Sequence, residues 1–266
     1  MNPLLSRVLV AVVALPAVLG LVWLGGWWLW GLAAVATMLA LHEYFTLARP
    51  LRPHVLGGYG GALAALVGVQ LGGVEWMLAG FLSTLALSFV VQGLTGGRAS
   101  PTVALGSTVL GVAWIALGVG HVLLLRDLDD HGRLAAYTLL LTVWAADTAA
   151  YFFGKLVGRH KLAPRLSPGK TWEGFVAGSA AAVFVAFISL YRTGFVDGWR
   201  SLVLGGVIAV SAVLGDLFES SFKREAGVKD SGRLLGGHGG VLDRLDAFLF
   251  ASVACFYAIL ALDTSA

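Results

Sequence analysis

Apolar runs of about 17 to 25 residues, the length of helix that crosses a hydrocarbon core, recur along this chain and are separated by short polar breaks. Nine are legible, at roughly Arg7 to Leu24, Trp27 to Leu47, Leu56 to Gly73, Glu75 to Val91, Thr102 to Leu125, Arg133 to Leu156, Thr171 to Arg192, Trp199 to Phe222 and Leu245 to Leu262. The pattern predicts an all-α, polytopic membrane helix bundle of about nine transmembrane helices. Residues 1–266 read as a single integral membrane domain, with amino-terminal helices to about residue 130 and the polar chemistry from about 131 onward. The first run follows Arg7 as a secretory leader would, but it lacks a clear small-residue cleavage site and eight more runs follow, so it is read as a helix. Trp27, Trp28 and Trp30 come just after it, where an aromatic belt would lie.

Composition excludes an ordinary soluble domain. The 266 residues are 58% hydrophobic and 12% charged, with a mean hydropathy of +0.84, too little charge to cover a soluble surface. Cys255 is the only cysteine, so neither a disulfide framework nor a Cys-based metal site is available. No repeat, low-complexity segment or separate soluble domain stands out. The 36 glycines are spread through the helices, as close helix packing in lipid requires.

Basic residues set the orientation, because Lys and Arg are retained on the cytoplasmic side. Arg7, then Arg49 and Arg52, then Arg98, then Lys155, Arg159, Lys161, Arg165 and Lys170, then Lys223, Arg224, Lys229, Arg233 and Arg244 fall in loops on one face. The opposite loops hold Glu75, the Asp127, Asp129 and Asp130 set, the segment Arg192 to Arg200 and the tail after Asp263. The amino terminus is expected in the cytoplasm and the carboxyl terminus outside. Both long basic loops then share the cytoplasmic side.

The first of these loops begins inside a helix. Asp147, Tyr151, Gly154, Lys155 and Gly158 are spaced by three or four and share one face. An aspartate within a span costs about 2.5 to 3.5 kcal/mol on insertion scales, so it faces a cavity or a partner. A buried pair with Lys155 or another base satisfies Asp147; so does metal coordination or substrate positioning. Five basic residues follow before Glu173, which topology and anionic lipid alone explain. Charge does not explain Ser167-Pro168-Gly169-Lys170-Thr171-Trp172-Glu173-Gly174, where hydroxyls, a lysine and backbone donors gather at a helix start suited to phosphate. The Gly-Lys-Thr triplet is not a P-loop, since the first glycine of that motif is missing at the required spacing and no strand precedes it.

In the second region, Asp216, Ser220, Lys223 and Arg224 recur at helical spacing, and Asp243 and Asp246 open the last helix three residues apart. Between them Gly236-Gly237-His238-Gly239-Gly240 forms a turn whose backbone can approach a ligand closely. A salt-bridged loop would hold two helix ends with far fewer charges. Carboxylates from facing helices can bind Mg²⁺ and leave positions for water and phosphate oxygens, and the nearby Lys and Arg residues would neutralise the remaining phosphate charge. A polyphosphate ligand is expected.

These residues resemble a known signature. Ser220-x-Phe222-Lys223-Arg224, Lys229-Asp230-x-Gly232 and Gly236-x-His238-Gly239-Gly240-Val241-x-Asp243-Arg244-Leu245-Asp246 resemble that of the CDP-diacylglycerol synthases, or phosphatidate cytidylyltransferases. Asp147-x-x-x-Tyr151 and Ser167-Pro168-x-Lys170-Thr171-x-Glu173-Gly174 look like that family's second patch, and Glu43, an acid near a helix end, is the amino-terminal half's contribution. The motifs cover roughly a third of the chain.

The resemblance implies the conversion of CTP and phosphatidate to CDP-diacylglycerol and pyrophosphate in phospholipid biosynthesis. It implies Mg²⁺ as cofactor, a second cation such as K⁺, membrane lipids as surroundings, a homodimer and a location in the plasma (inner) membrane. No nucleic-acid partner is expected. The expected catalytic residues are Asp216, Lys223, Arg224, Lys229, Asp230, Asp243, Arg244 and Asp246. Asp216 and Asp243 lead the metal ligands, with Asp246 and Asp147 next. Asp147, Lys155, Arg159, Ser167, Lys170, Thr171, Glu173, Ser220, His238, Gly239 and Gly240 are expected to bind substrate. A CTP-dependent lipid kinase, or a cytidylyltransferase for another lipid phosphate, is the alternative enzyme. An ion or solute transporter is the alternative outside enzymes, and would gather its polar residues near the bilayer midplane.

Overall fold

A computed structural model of the chain describes residues 15–95, 100–232, 234 and 239–262. Arg7, Arg98, Arg233, Gly236, Gly237, His238 and Asp263, which enter the sequence reading, lie outside the described residues.

Among the described residues the fold is all-α apart from one short hairpin. Helix α1 (Leu15–Leu24) breaks at Gly25 and Gly26, whose φ angles of +67° and +50° favour glycine, before α2 (Gly26–Leu47). A 3₁₀ turn (Arg49–Leu51) leads to α3 (Val55–Thr95), and α4 (Pro101–Gly111) runs through a π-helical segment (Val112–Ala116) into α5 (Leu117–Arg126). Then come α6 (Gly132–Leu156), β1 (Lys161–Ala163), β2 (Ser167–Thr171), α7 (Trp172–Leu190), α8 (Trp199–Glu225) and α9 (Leu242–Leu262).

Among the described residues five helical segments are long and apolar enough to cross a membrane: Val55–Leu94, Pro101–Arg126, Trp172–Leu190, Trp199–Glu225 and Leu242–Leu262. The chain is a multi-pass membrane protein. Trp27, Trp28, Phe89 and Phe184 are among its many exposed large apolar side chains, as lipid contact allows. The first of the five segments is bent. At Gly72 and Gly73 the helical angles fail, and Gly73 takes φ +65°, so α3 doubles back where the sequence predicts one span ending and the next beginning. Its arms meet through small residues: a Cβ on Gly57 would lie 2.6 Å from Ser88 Oγ, and one on Gly80 would overlap the Ala64 carbonyl.

The chain forms two compact units. One comprises Met1–Leu124 with Glu225–Leu245, the other Leu125–Arg224 with Asp246–Ala266. In the first, Tyr44 is fully buried, donates to the Ser107 carbonyl at 2.8 Å and meets Trp114 edge-to-face. In the second, α6 and α7 pack almost backbone to backbone. A Cβ on Gly178 would lie 2.8 Å from the Ala146 carbonyl oxygen, and one on Gly174 would lie 2.7 Å from that of Ala150. In lipid, such van der Waals contact between helices substitutes for the missing hydrophobic drive.

The hairpin is the local feature that sequence pattern did not predict. Lys161 pairs with Thr171 and Ala163 with Ser167, antiparallel, with a register irregularity between the two pairs. Five residues of β2 that include Pro168 and Gly169 carry little strand propensity, and a two-stranded ribbon is marginal alone. Side-chain anchors hold it. The Glu173 carboxylate accepts from His160 Nδ1 at 2.6 Å and from the His160 amide at 3.2 Å, and Arg224 Nε donates to the Leu166 carbonyl at 3.2 Å. Thr171 then caps α7, accepting from the Gly174 amide at 3.1 Å, a bond that contributes about 1 kcal/mol at such caps.

Candidate active site

A cavity of about 660 Å³ opens within the second unit. Helix α6 lines it with Asp147, Tyr151, Gly154 and Lys155, the face that the three-and-four spacing predicted, and Gly158 lines it just beyond. The hairpin adds Lys161, Lys170 and Thr171, α7 adds Gly174 and Gly178, and α8 adds Asp216. The glycines keep the walls thin where the helices cross. A wall of apolar residues thus surrounds two carboxylates and three lysines.

An ion pair crosses this cavity. Lys170 Nζ lies 2.6 Å from Asp216 Oδ2, with both side chains partly exposed. Asp147 is within Coulombic reach of both Asp216 and Lys170. Lys155 extends over the Tyr151 ring, 5.9 Å from its centroid. The cation that influences Asp147 is thus Lys170 of the hairpin, already paired with Asp216, while Lys155 lies about two turns further along α6.

Asp246, on α9 in the same unit, lies near both Asp216 and Glu219. Glu219 is fully buried and is bound at 2.5 Å by Lys223, one turn along α8. Close approach of α8 and α9 makes this possible: a Cβ on Gly215 would overlap the Asp246 carbonyl. Ser220 is buried beside them. Sequence reading named Lys223 and Ser220 but passed over Glu219, although its spacing of four from Lys223 and three from Asp216 was visible.

The first unit contains the glycine-rich turn. Asp243 Oδ2 accepts from the Ser231 amide at 2.9 Å and the Gly240 amide at 2.8 Å. Gly239 needs its φ of +80° to make that turn. Glu43, from α2, accepts from Ser231 Oγ at 3.0 Å, the Val241 amide at 3.0 Å and the Leu242 amide at 2.9 Å. Lys229, Asp230 and Arg244 are exposed in the same unit. Arg159 is exposed where the hairpin of the second unit begins, and Ser167 is half-buried in β2.

A family model described as the cytidylyltransferase family matches residues 5–262. The chain belongs to the cytidylyltransferase family. It is 35% identical over 249 residues to a phosphatidate cytidylyltransferase of Staphylococcus haemolyticus, covering 92% of this chain and 94% of that one. A phosphatidate cytidylyltransferase of Staphylococcus aureus strain COL shows the same identity and coverage. That of Brucella suis is 36% identical over 262 residues, 97% of this chain and 93% of its own.

The family resemblance implies a divalent ion, and the donor set can be tested for it. Among the described residues no three His, Cys, Asp or Glu side chains gather closely enough to hold a metal by themselves. Mg²⁺ does not require that, because it keeps several waters and takes one or two carboxylates together with substrate phosphates. In this cytidylyltransferase-family chain Asp147 and Asp216 both line the cavity, and Asp216 already holds an ammonium. The donors fit an ion that arrives with a phosphate. They do not form a closed protein cage.

The carboxylate of Glu173, one of the residues expected to bind substrate, accepts hydrogen bonds from His160. The sequence carried one signal for that contact, an acid two residues past the Thr171 cap, where a helix start favours negative charge.

Proposed function

We propose that this chain transfers the cytidylyl group of CTP to phosphatidate, giving CDP-diacylglycerol and pyrophosphate. The observation that carries the reading is the cavity holding Asp147, Asp216, Lys155, Lys161 and Lys170 in a chain of the cytidylyltransferase family. In the reaction an oxygen of the phosphatidate phosphate attacks the α-phosphorus of CTP, and the bond to the bridging oxygen of the β-phosphate breaks. The attacking phosphate is ionised at neutral pH, so no strong base is needed. Positioning and charge stabilisation remain for the protein.

Lys170 is poised between its carboxylate partner and an incoming phosphate, and Lys155 and Lys161 add positive charge to the same cavity. Arg159, Ser167, Thr171, Ser220, Gly239 and Gly240 are proposed to contact substrate. Lys223, Arg224, Lys229, Asp230 and Arg244 complete the proposed catalytic set. Asp147, Asp216, Asp243 and Asp246 would hold Mg²⁺, which when bound neutralises phosphate charge and stabilises the departing pyrophosphate. A second cation such as K⁺ and a homodimer belong to the proposal through family resemblance alone.

The proposed topology has nine spans in one integral domain of the inner membrane, with the amino terminus and the site cytoplasmic and the carboxyl terminus outside. It is supported by the helices among the described residues: taking the arms of α3 separately and α4 through α5 as one run gives nine. The basic loops supply the orientation.

The test uses purified protein, phosphatidate vesicles, Mg²⁺ and CTP labelled at the α- or γ-phosphate. Lipid-soluble α-label with release of pyrophosphate supports the reading. Transfer of γ-label alone would make the protein a lipid kinase. Absence of CTP turnover with any phospholipid acceptor would leave a transporter.

A further inference from the structure

The amino-terminal half is given no chemical task by the proposal above, yet one of its side chains is built into the glycine-rich turn. Glu43 is 3% exposed. Among the described residues its three hydrogen bonds come from positions 188 to 199 residues away, and each of these donors is neutral: Ser231 Oγ and the amides of Val241 and Leu242. A buried carboxylate without adequate hydrogen bonds is strongly unfavourable. Here its compensation comes from the unpaired N–H groups and positive dipole end of α9.

The fit is close on every side. A Cβ on Gly232 or on Gly240 would overlap the Glu43 carboxyl group. Gly232 and Gly240 thus leave the space that Glu43 occupies. Ser231 links two acids, its hydroxyl donating to Glu43 and its amide to Asp243. Gly240, whose amide holds Asp243, directly precedes the two residues whose amides hold Glu43.

We infer that Glu43 is a positioning residue for the transfer reaction: its carboxylate fixes Ser231 and the first turn of α9, and thereby aims Asp243. The inference rests on the proposed cytidylyl transfer. Glu43 touches no reacting atom in this account. It acts through the backbone that orients Asp243, so its loss lowers turnover more than substrate affinity.

The experiment compares wild type, Glu43→Gln and Glu43→Asp in detergent by steady-state kinetics and by hydrogen exchange. In Glu43→Gln one acceptor oxygen becomes an N–H₂ that faces at least one backbone donor. It should lower kcat about a hundredfold, as small misplacements do, with KM for CTP changed less than about threefold. Exchange should quicken at 239–246 and stay unchanged at 161–171 in the hairpin. Glu43→Asp, which keeps both acceptor oxygens, should recover part of the lost kcat. The inference is overturned if exchange at 239–246 does not change, if it rises equally in the hairpin, or if it rises while kcat stays within about twofold of wild type. Should wild type fail to turn over CTP with phosphatidate, the proposed function falls, and the exchange comparison still decides whether Glu43 holds the turn.

Discussion

Lys170 Nζ rests 2.6 Å from Asp216 Oδ2, joining the hairpin to α8 across a cavity that Asp147 also lines. Asp216 holds that ammonium, and in the proposed reaction a phosphate would compete for it. Lys170→Met should therefore lower kcat/KM for CTP by about 10- to 100-fold, the equivalent of a charged hydrogen bond of roughly 1.5 to 3 kcal/mol. Steady-state assays in detergent check it, and activity within twofold of wild type would remove Lys170 from the site.

Asp243 is held by the Ser231 and Gly240 amides through one oxygen. Asp243→Asn retains a carbonyl acceptor of the same size, so the protein should insert and melt nearly as wild type does while turnover falls to background. Near-normal activity in a melting-matched sample would exclude Asp243 from metal binding.

Glu173 anchors the entry to the hairpin through His160. Glu173→Gln loses the charge in that bond and should make Lys161 and Arg165 better trypsin sites, with cutting after Arg126 unaffected. Mapping the first fragments by mass spectrometry tests this. Equal cutting rates in the two proteins would show that the hairpin is held by other contacts.

Gly178 sits against the Ala146 carbonyl. Gly178→Val should push α7 off α6, with an overpacking cost of about 1 to 3 kcal/mol. A lowered melting temperature in detergent is the readout, and the outward-facing Val176→Ala, at an exposed position of the same helix, should leave it nearly unchanged.

Local features were legible and distant ones were not. The Asp147, Tyr151 and Lys155 face needs only helical spacing, and the bend of α3 is marked by adjacent glycines within an apolar run. Both are set by residues a few positions apart. Glu43 was visible only as an acid at a helix end, because its partners lie 188 or more positions downstream and most are backbone amides, which carry no residue-type signal. The hairpin was hidden for a related reason. Its strands lack alternation, and what fixes them are Glu173 of α7 and the distant Arg224 of α8.

Those two anchors, one at the hairpin's base and one on the turn between its strands, have a mechanical consequence for Lys170. The main chain beneath the lysine is tethered at both extremities, so the proposed exchange of an acid for a phosphate would ask only for rotation about side-chain bonds. Rotamer changes of that kind take picoseconds to nanoseconds at accessible positions, far faster than any rearrangement of helices. The cation can thus change hands without the scaffold having to reopen.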